Sequence, residues 1–165
     1  MESRTRIRNP YDATQNGCFG CSVSNPIGLK LTFEESEHFL HAVWEPSPEY
    51  QGYKNVLHGG IIATLLDEIG AWCVSVKAGT SGVTSSLTVK YLKPAYISKG
   101  SFTLDAEITS REGSITRLRC RLFDGDGIQC AEAEMDYYLY PLHVAHKRYH
   151  YPGKDAFYFK EASNT

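Results

Sequence analysis

Residues 59–76 read GGIIATLLDEIGAWCVSV, and this stretch decides the fold. Its apolar residues occur all round a helical projection, which is typical of a helix that the rest of a domain surrounds. Asp67 and Glu68 are the only charged residues within it. We therefore predict one long, buried central helix that carries an acid near its middle.

Strand-like segments lie on both sides of this helix. Two precede it and four follow it, at residues 29–34, 38–45, 84–92, 101–110, 114–123 and 127–140. Alternation of apolar and polar residues is clearest at 102–108 and 118–122, and residues 124–127 read DGDG, a hairpin turn signal. Because antiparallel strands bury one face and an apolar helix must be covered, the order predicts an α+β fold. In it an antiparallel six-stranded curled sheet wraps around the one long central helix.

Composition limits the classes of partner. A chain of 165 residues with a net charge of −2 fits one domain, and it provides no strong field for nucleic acid or an anionic membrane. No run approaches 18 apolar residues and no apolar run follows the N-terminal basic residues, so we expect neither a membrane span nor a secretory signal. Five cysteines, an odd number, suggest reduced thiols in the cytoplasm.

Three regions follow from the composition shifts. Residues 1–28 are polar with Gly and Pro punctuation and are interpreted as an N-terminal lead-in. Residues 29–141 hold the periodic segments and form the predicted domain. Residues 142–165 are a C-terminal extension rich in Tyr, Phe and His. The sequence leaves open whether this extension docks on its own domain or on a partner subunit.

Asp67 needs a physical reason, because burial of an unpaired carboxylate costs free energy. The residues three, four and seven positions away share its helical face, and most are small: Gly60, Ala63, Thr64, Gly70, Ala71 and Val74. This stripe leaves room for a ligand or for a second helix. A structural acid, hydrogen-bonded in the core or at an interface, is the open alternative.

His58-Gly59-Gly60 stands at the start of the helix. The first N–H groups of a helix have no internal partner, and the helix dipole favours negative charge there. Two glycines let a substrate approach these groups closely, which suits a developing oxyanion. The alternative is an ordinary junction between a loop and a helix.

The spacing of these groups predicts an oligomer. Gly60 and Asp67 are seven residues apart, roughly 10 Å along a helix axis, so one carbonyl cannot easily contact both within one chain. An antiparallel copy of the helix would bring Gly60 of one chain beside Asp67 of the other. We predict a two-fold homodimer with two shared sites, and pairing of dimers into a homotetramer is left open.

The segments HGGIIATLLDEIGAW (58–72) and TSSLTVKYLKPAYI (84–97) together resemble the hotdog-fold acyl-CoA thioesterases, in particular the phenylacetate-pathway and mitochondrial-type branch. The family pattern places an acid nine residues after the His of HGG, then a strand that ends in a Lys/Arg-Pro pair. Here the acid is Asp67 and the pair is Lys93-Pro94. CFGCSVSNPIGLKL (18–31) is similar to an N-terminal signature of some members.

The resemblance implies roles for particular residues. Asp67 would attack the thioester carbonyl or activate water, the N–H of Gly59 or Gly60 would hold the oxyanion, and His58 would orient the loop or contact the thioester. Thr84 would position water. The substrate-binding candidates are Asn25, Thr64, Lys90 and Lys93, of which the lysines would meet CoA phosphates. Ala71 departs from branches that carry a hydroxyl residue four positions after the acid.

The predicted function is hydrolysis of an acyl-CoA to a free acid and CoA, without a cofactor. One alternative is a hotdog protein that binds acyl-CoA without turnover. Another is a hotdog enoyl-CoA hydratase or dehydratase, which would need a catalytic His paired with an acid. The identity and length of the acyl group are not specified by the sequence.

Two further patterns in the sequence combine charged or metal-binding residue types. Cys18 and Cys21 form a CxxC that histidines could complete as a zinc site: His143, His146 and His150. The chain has no second CxxC and no standard finger spacing, so we predict no metal and a tight turn with buried thiols. The arginines of residues 117–121 are expected to pair with the acids of residues 132–136 across strands.

Overall fold

The computed structural model describes residues 3–11 and 16–160. Its helices are α1 (Gly59–Cys73), which continues through wider π-type turns at Val74–Ala78, and α2 (Leu142–Tyr149). Its strands are β1 (Thr5–Ile7), β2 (Thr32–Glu35), β3 (Leu40–Trp44), β4 (Gly82–Tyr91), β5 (Phe102–Glu112), β6 (Ile115–Phe123) and β7 (Gln129–Leu139). They form one antiparallel sheet in the order β1-β2-β3-β5-β6-β7-β4.

This architecture confirms the predicted α+β hotdog fold, a curled sheet around one long helix. All six predicted strands are present, and β1 adds a seventh within the segment interpreted as a lead-in. Three residues of β1 carry too little periodicity to be recognised as a strand, and their pairing with β2 is a tertiary contact.

The side of α1 that faces the sheet is fully apolar. Ile62, Leu65 and Ile69 are buried there, at 4%, 0% and 0% relative exposure. Gly70 lets the helix approach closely, since a Cβ at this position would lie 2.7 Å from the side chain of Met135. Gly70 therefore belongs to the packed side, and the expected small-residue stripe around Asp67 is narrower than its spacing indicated.

The opposite side of α1 is left partly open within one chain. Ala63, Thr64, Asp67 and Ala71 are half-buried, and Gly60 is exposed. By length and apolar composition alone, Gly59–Ala78 is long enough to cross a membrane. Half of that stretch is buried inside the fold, and the core helix of a globular domain passes the same test of length and composition. The sheet thus covers one side of the helix and exposes the side that carries the acid.

β4 forms one end of the sheet. Among the described strands it pairs with β7, and residues 83–86 are exposed. An irregularity between Thr84 and Ser86 interrupts the register with β7. Long uncovered edges are pairing sites for another chain, and irregularities of this kind re-aim side chains.

The C-terminal extension docks on the domain itself. The Tyr151 hydroxyl donates to the carbonyl oxygen of Ser75 at 2.8 Å, and the Phe157 ring packs edge-on against Trp72 at 5.5 Å between centroids. Both aromatic residues are buried. The alternative of docking on a partner is therefore not needed to bury this part of the tail.

The arginine prediction is correct in part. Arg117 pairs with Asp136 on β7 as expected, at 2.8 Å. Arg119 and Arg121 instead reach back to acids of β5, Glu107 at 3.7 Å and Asp105 at 2.7 Å. Each strand of the sheet has two neighbours, and the sequence alone does not decide which neighbour supplies the counter-charge.

Candidate active site

The Asp67 carboxylate has a specific partner. The Thr84 hydroxyl donates to its Oδ1 at 2.7 Å, which joins the middle of α1 to the third residue of β4. The sheet irregularity lies directly after Thr84. Asp67, predicted from its place in the apolar helix, and Thr84, implied by the resemblance, are therefore in contact, and they lie on the uncovered side of the helix.

His58 caps the start of α1. Its Nδ1 accepts a hydrogen bond from the Gly60 N–H at 2.9 Å, and its carbonyl accepts from the Ile62 N–H at 3.1 Å. The Gly60 N–H, expected to hold an oxyanion, is thus already engaged by the imidazole. An oxyanion can use it only if the His58 ring turns away.

Side-chain hydroxyls bind the carbonyl oxygens of both glycines at the helix start. The Tyr91 hydroxyl donates to the carbonyl oxygen of Gly59 at 2.8 Å, and the Thr64 hydroxyl donates to that of Gly60 at 2.9 Å. A Cβ on Gly59 would lie 3.5 Å from the Tyr91 ring. Tyr91 therefore braces the glycine pair at the helix start.

A cleft of about 750 Å³ opens beside these glycines. His58, Gly59, Tyr91 and Lys93 contribute to its walls. Asp67 and Thr84 are absent from the described residues that line it. Each chain therefore presents two half-sites, a cleft at the helix start and a carboxylate with its hydroxyl, separated by seven helical residues or roughly 10 Å.

Two predicted substrate-binding residues lie outside both half-sites. Asn25 closes a turn of the N-terminal segment, where its side-chain oxygen accepts from Ile27 N–H at 3.1 Å and its amide donates to the Gly17 carbonyl at 3.0 Å. Lys90 lies 3.8 Å from Glu132 in a groove on the outer face of the sheet. An amide and an ammonium group suit a CoA ligand, but the fold places both side chains away from the helix start and from Asp67.

Sequence reasoning missed a cluster centred on Glu68. The Glu68 carboxylate accepts from Trp72 Nε1 at 3.0 Å and from Cys18 Sγ at 3.5 Å, and Cys21 Sγ lies in the same group. Burial raises the pKa of Glu68 to about 7, while the Cys21 thiol, as a hydrogen-bond donor, lowers the pKa of Cys18 to about 5. The four-residue spacing of Glu68 and Trp72 places them on the same side of the helix, and it was the signal in the sequence that could have indicated this contact.

Comparison with known families agrees with this geometry. Residues 54–131 match the model of the thioesterase superfamily. The match contains the helix start, Asp67, Thr84 and the Lys93-Pro94 pair, so both half-sites fall within the matched segment.

Two curated relatives resemble the thioesterase segment. A protein of Saccharolobus solfataricus described as a putative esterase is 29% identical over 92 residues, which is 55% of this chain and 64% of the relative. An uncharacterized protein of Schizosaccharomyces pombe is 41% identical over 56 residues, 33% of this chain and 32% of the relative. The chain thus matches less than two-thirds of the length of either.

Solved structures show the same fold. A thioesterase superfamily protein, RHA08564, superimposes with a TM-score of 0.67 at 21% identity over 74% of this chain and 60% of its own. The Escherichia coli PaaI protein gives 0.61 at 16% identity over 68% and 81%. BH2602 of Bacillus halodurans, solved with CoA, gives 0.55 at 25% identity over 60% and 70%.

Proposed function

We propose that this protein is an acyl-CoA thioesterase that hydrolyses the thioester to a free acid and CoA at a site shared by two subunits. The observation that carries the proposal is the Asp67 carboxylate, held by Thr84 on the uncovered side of α1. If a second subunit brings its glycine-rich helix start beside this carboxylate, the pair matches the needs of acyl transfer, a nucleophile or base and an oxyanion site.

Asp67 performs the first step on the thioester carbonyl. On one route it attacks the carbonyl carbon, the C–S bond breaks to release CoA, and water hydrolyses the resulting anhydride to the free acid. On the other it removes a proton from a water that attacks the carbonyl carbon, and the C–S bond breaks as the proton passes to the departing CoA sulfur. Both routes need a carboxylate of fixed orientation. Thr84 provides that orientation by donating to Oδ1. Oδ2 then faces the carbonyl or the water.

The helix start stabilises the developing negative charge. The N–H groups of Gly59 and Gly60 point outward at the positive end of the helix dipole. His58 must release the Gly60 N–H before the oxyanion can use it, because the two are bonded at 2.9 Å. Lys93, in the wall of the cleft, is the basic residue placed to contact a CoA phosphate.

A two-fold dimer unites the half-sites. The edge of β4 supports this arrangement, since antiparallel pairing of two β4 strands would extend the sheet and place two α1 helices side by side. The cleft of one chain would then lie beside Asp67 of the other. The same contact would cover the open side of α1, whose small residues allow a close approach.

The ligand class rests on chemistry and on one neighbour. A volume of about 750 Å³ lies within the range of small-ligand and cofactor sites. The Bacillus halodurans protein solved with CoA shares the fold at 25% identity. A hydratase would pair Asp67 with a histidine, whereas its partner here is Thr84 and His58 is bonded to Gly60.

The cytoplasmic location expected from the sequence is part of the same proposal. All five cysteines are free thiols in the structure, and free thiols are typical of proteins in a reducing compartment. Localisation of a tagged chain by cell fractionation would check it.

A thiol-release assay tests the activity. The purified chain is mixed with short, long and aromatic acyl-CoAs, and free CoA is followed with a disulfide dye. Asp67→Asn is expected to lower kcat/KM by at least about 100-fold, the lower end for loss of a general base. Glu112→Gln, which changes an exposed acid at the end of β5, is the matched control.

Two outcomes would contradict the proposal. If the wild type binds acyl-CoA by calorimetry without releasing CoA, the protein is a binding module. If Asp67→Asn turns over at a rate close to that of Glu112→Gln, the acid is structural. An enoyl-CoA hydration assay on the same samples decides the hydratase alternative.

A further inference from the structure

The N-terminal CxxC is folded against α1. Cys18 and Cys21 lie in a tight turn in which Ser22 N–H donates to the Cys18 carbonyl at 3.1 Å. Gly20, between them, leaves no room for a side chain, because a Cβ there would collide with the carboxyl end of Glu68. The turn is therefore shaped to bring two sulfur atoms onto one carboxylate.

The resulting cluster has the ligands and dimensions of a metal site. Cys18 Sγ, Cys21 Sγ and a Glu68 oxygen all lie within 4.8 Å of one another. Cys18 Sγ is 3.5 and 3.6 Å from the two Glu68 oxygens. A tetrahedral zinc site with bonds of about 2.3 Å to sulfur and about 2.0 Å to oxygen requires a sulfur–oxygen separation of about 3.5 Å.

The charges around the cluster also favour a bound cation. In the described ranges, no Lys or Arg forms an ion pair with Glu68, whose donors are Trp72 and Cys18. Among these residues, no cation of the protein therefore supplies a counter-charge to the cluster. A divalent ion would supply that counter-charge and release the thiol protons.

We propose that Cys18, Cys21 and Glu68 bind one zinc-class divalent cation. Two thiolates favour zinc over magnesium or calcium, which prefer oxygen ligands. The three groups lie in the wall of a cavity of about 540 Å³ whose lining also includes Tyr11, Tyr137 and His150, and a water molecule from this cavity would complete a four-ligand site. No metal was expected from the sequence because the chain has no second CxxC and no standard finger spacing, whereas the fold supplies Glu68 as the third ligand.

The site would tie the N-terminal segment to the helix that carries Asp67. Leu29 and Leu31 N–H groups donate to the carbonyls of Phe19 and Gly20, at 2.7 and 2.9 Å, so the turn is continuous with the approach to β2. A cation on Glu68 would then fix the strand entry and α1 relative to each other. This role is independent of whether the protein hydrolyses thioesters.

Zinc binding to the full chain tests the proposal directly. The protein is reduced, stripped with a chelator and titrated with Zn²⁺ against a chromophoric competitor, and bound metal is quantified by mass spectrometry. We expect one equivalent per chain, and Co²⁺ should give a thiolate charge-transfer band in the near ultraviolet. Cys18→Ser and Cys21→Ser should each weaken binding by at least about 100-fold, and Glu68→Gln by about 10- to 100-fold.

Cys130→Ser is the matched control, since this cysteine is buried outside the cluster and contacts carbonyl oxygens that a serine can also reach. It should keep full affinity. Alkylation of the wild type provides a readout that needs no variant, because Zn²⁺ should slow iodoacetamide modification of Cys18 by about tenfold or more.

Three results would overturn the proposal. One is substoichiometric zinc on the reduced wild type with unprotected Cys18. Another is affinity in Cys18→Ser and Cys21→Ser equal to that of Cys130→Ser. The third is a Cys18–Cys21 disulfide that forms readily in air with no metal uptake by the reduced form, which would make the pair a redox couple.

Discussion

Replacement of Thr84 by valine tests the candidate site most sharply. Valine matches threonine in shape but has no hydroxyl, so Thr84→Val removes the 2.7 Å hydrogen bond to Asp67 and little else. Thr84 is exposed in the single chain, so the folded state should be affected by no more than about 0.5 kcal/mol. Any loss of activity should therefore come from the carboxylate and not from unfolding.

The size of the effect follows from the type of bond. A hydrogen bond to a charged group contributes about 1.5 to 3 kcal/mol. If all of it orients Asp67 in the transition state, kcat/KM should fall about 10- to 150-fold, since each 1.36 kcal/mol is a factor of ten. Thr84→Ser retains the hydroxyl and should stay within about threefold of the wild type, a change of less than 1 kcal/mol.

The assay is CoA release under kcat/KM conditions, with thermal unfolding of each variant as a control. The reasoning fails if Thr84→Val hydrolyses substrate as fast as the wild type. It also fails if Thr84→Ser loses as much activity as Thr84→Val, because the hydroxyl would then not be the group that matters.

Three further predictions concern assembly and stability. Ser86→Lys, in the middle of β4, should place like charges across the proposed two-fold axis and give an inactive monomer by light scattering; a persistent dimer would exclude this edge as the interface. Gly82→Ala should lower the free energy of unfolding in urea by about 1 to 3 kcal/mol because its Cβ would collide with a carbonyl of β7, whereas Gly17→Ala, with open space around it, should change it by less than about 0.5 kcal/mol. Burial raises the pKa of Glu35, but hydrogen bonds, chiefly from Lys77, outweigh it and hold the pKa below 4.5. Glu35→Gln should therefore cost about 1 to 3 kcal/mol at pH 7, and the difference from wild type should shrink as the pH falls through that lowered pKa; a constant difference down to pH 3 would contradict it.

Local sequence patterns were sufficient to predict the central helix and six of the strands. Their periodicity reflects which face each segment buries, and that face is decided largely by the segment's own residues. The pairing of Asp67 with Thr84 is different, because 17 residues separate them and nothing in the spacing indicates contact. Family resemblance implied only that Thr84 would position water near the site. The fold brings the two residues into contact because β4 runs beside the open side of α1.

By itself, the sequence determined the fold class, the place of the acid on the helix and the glycine pair at the helix start. Tertiary structure alone decided that Gly70 faces the sheet, that the Gly60 N–H is held by His58, and that Glu68 meets two cysteines from a turn about 50 positions earlier. The physical reason is that periodicity reports burial along one segment, whereas a contact depends on the path of a second segment. That path is set by the packing of the whole sheet against α1.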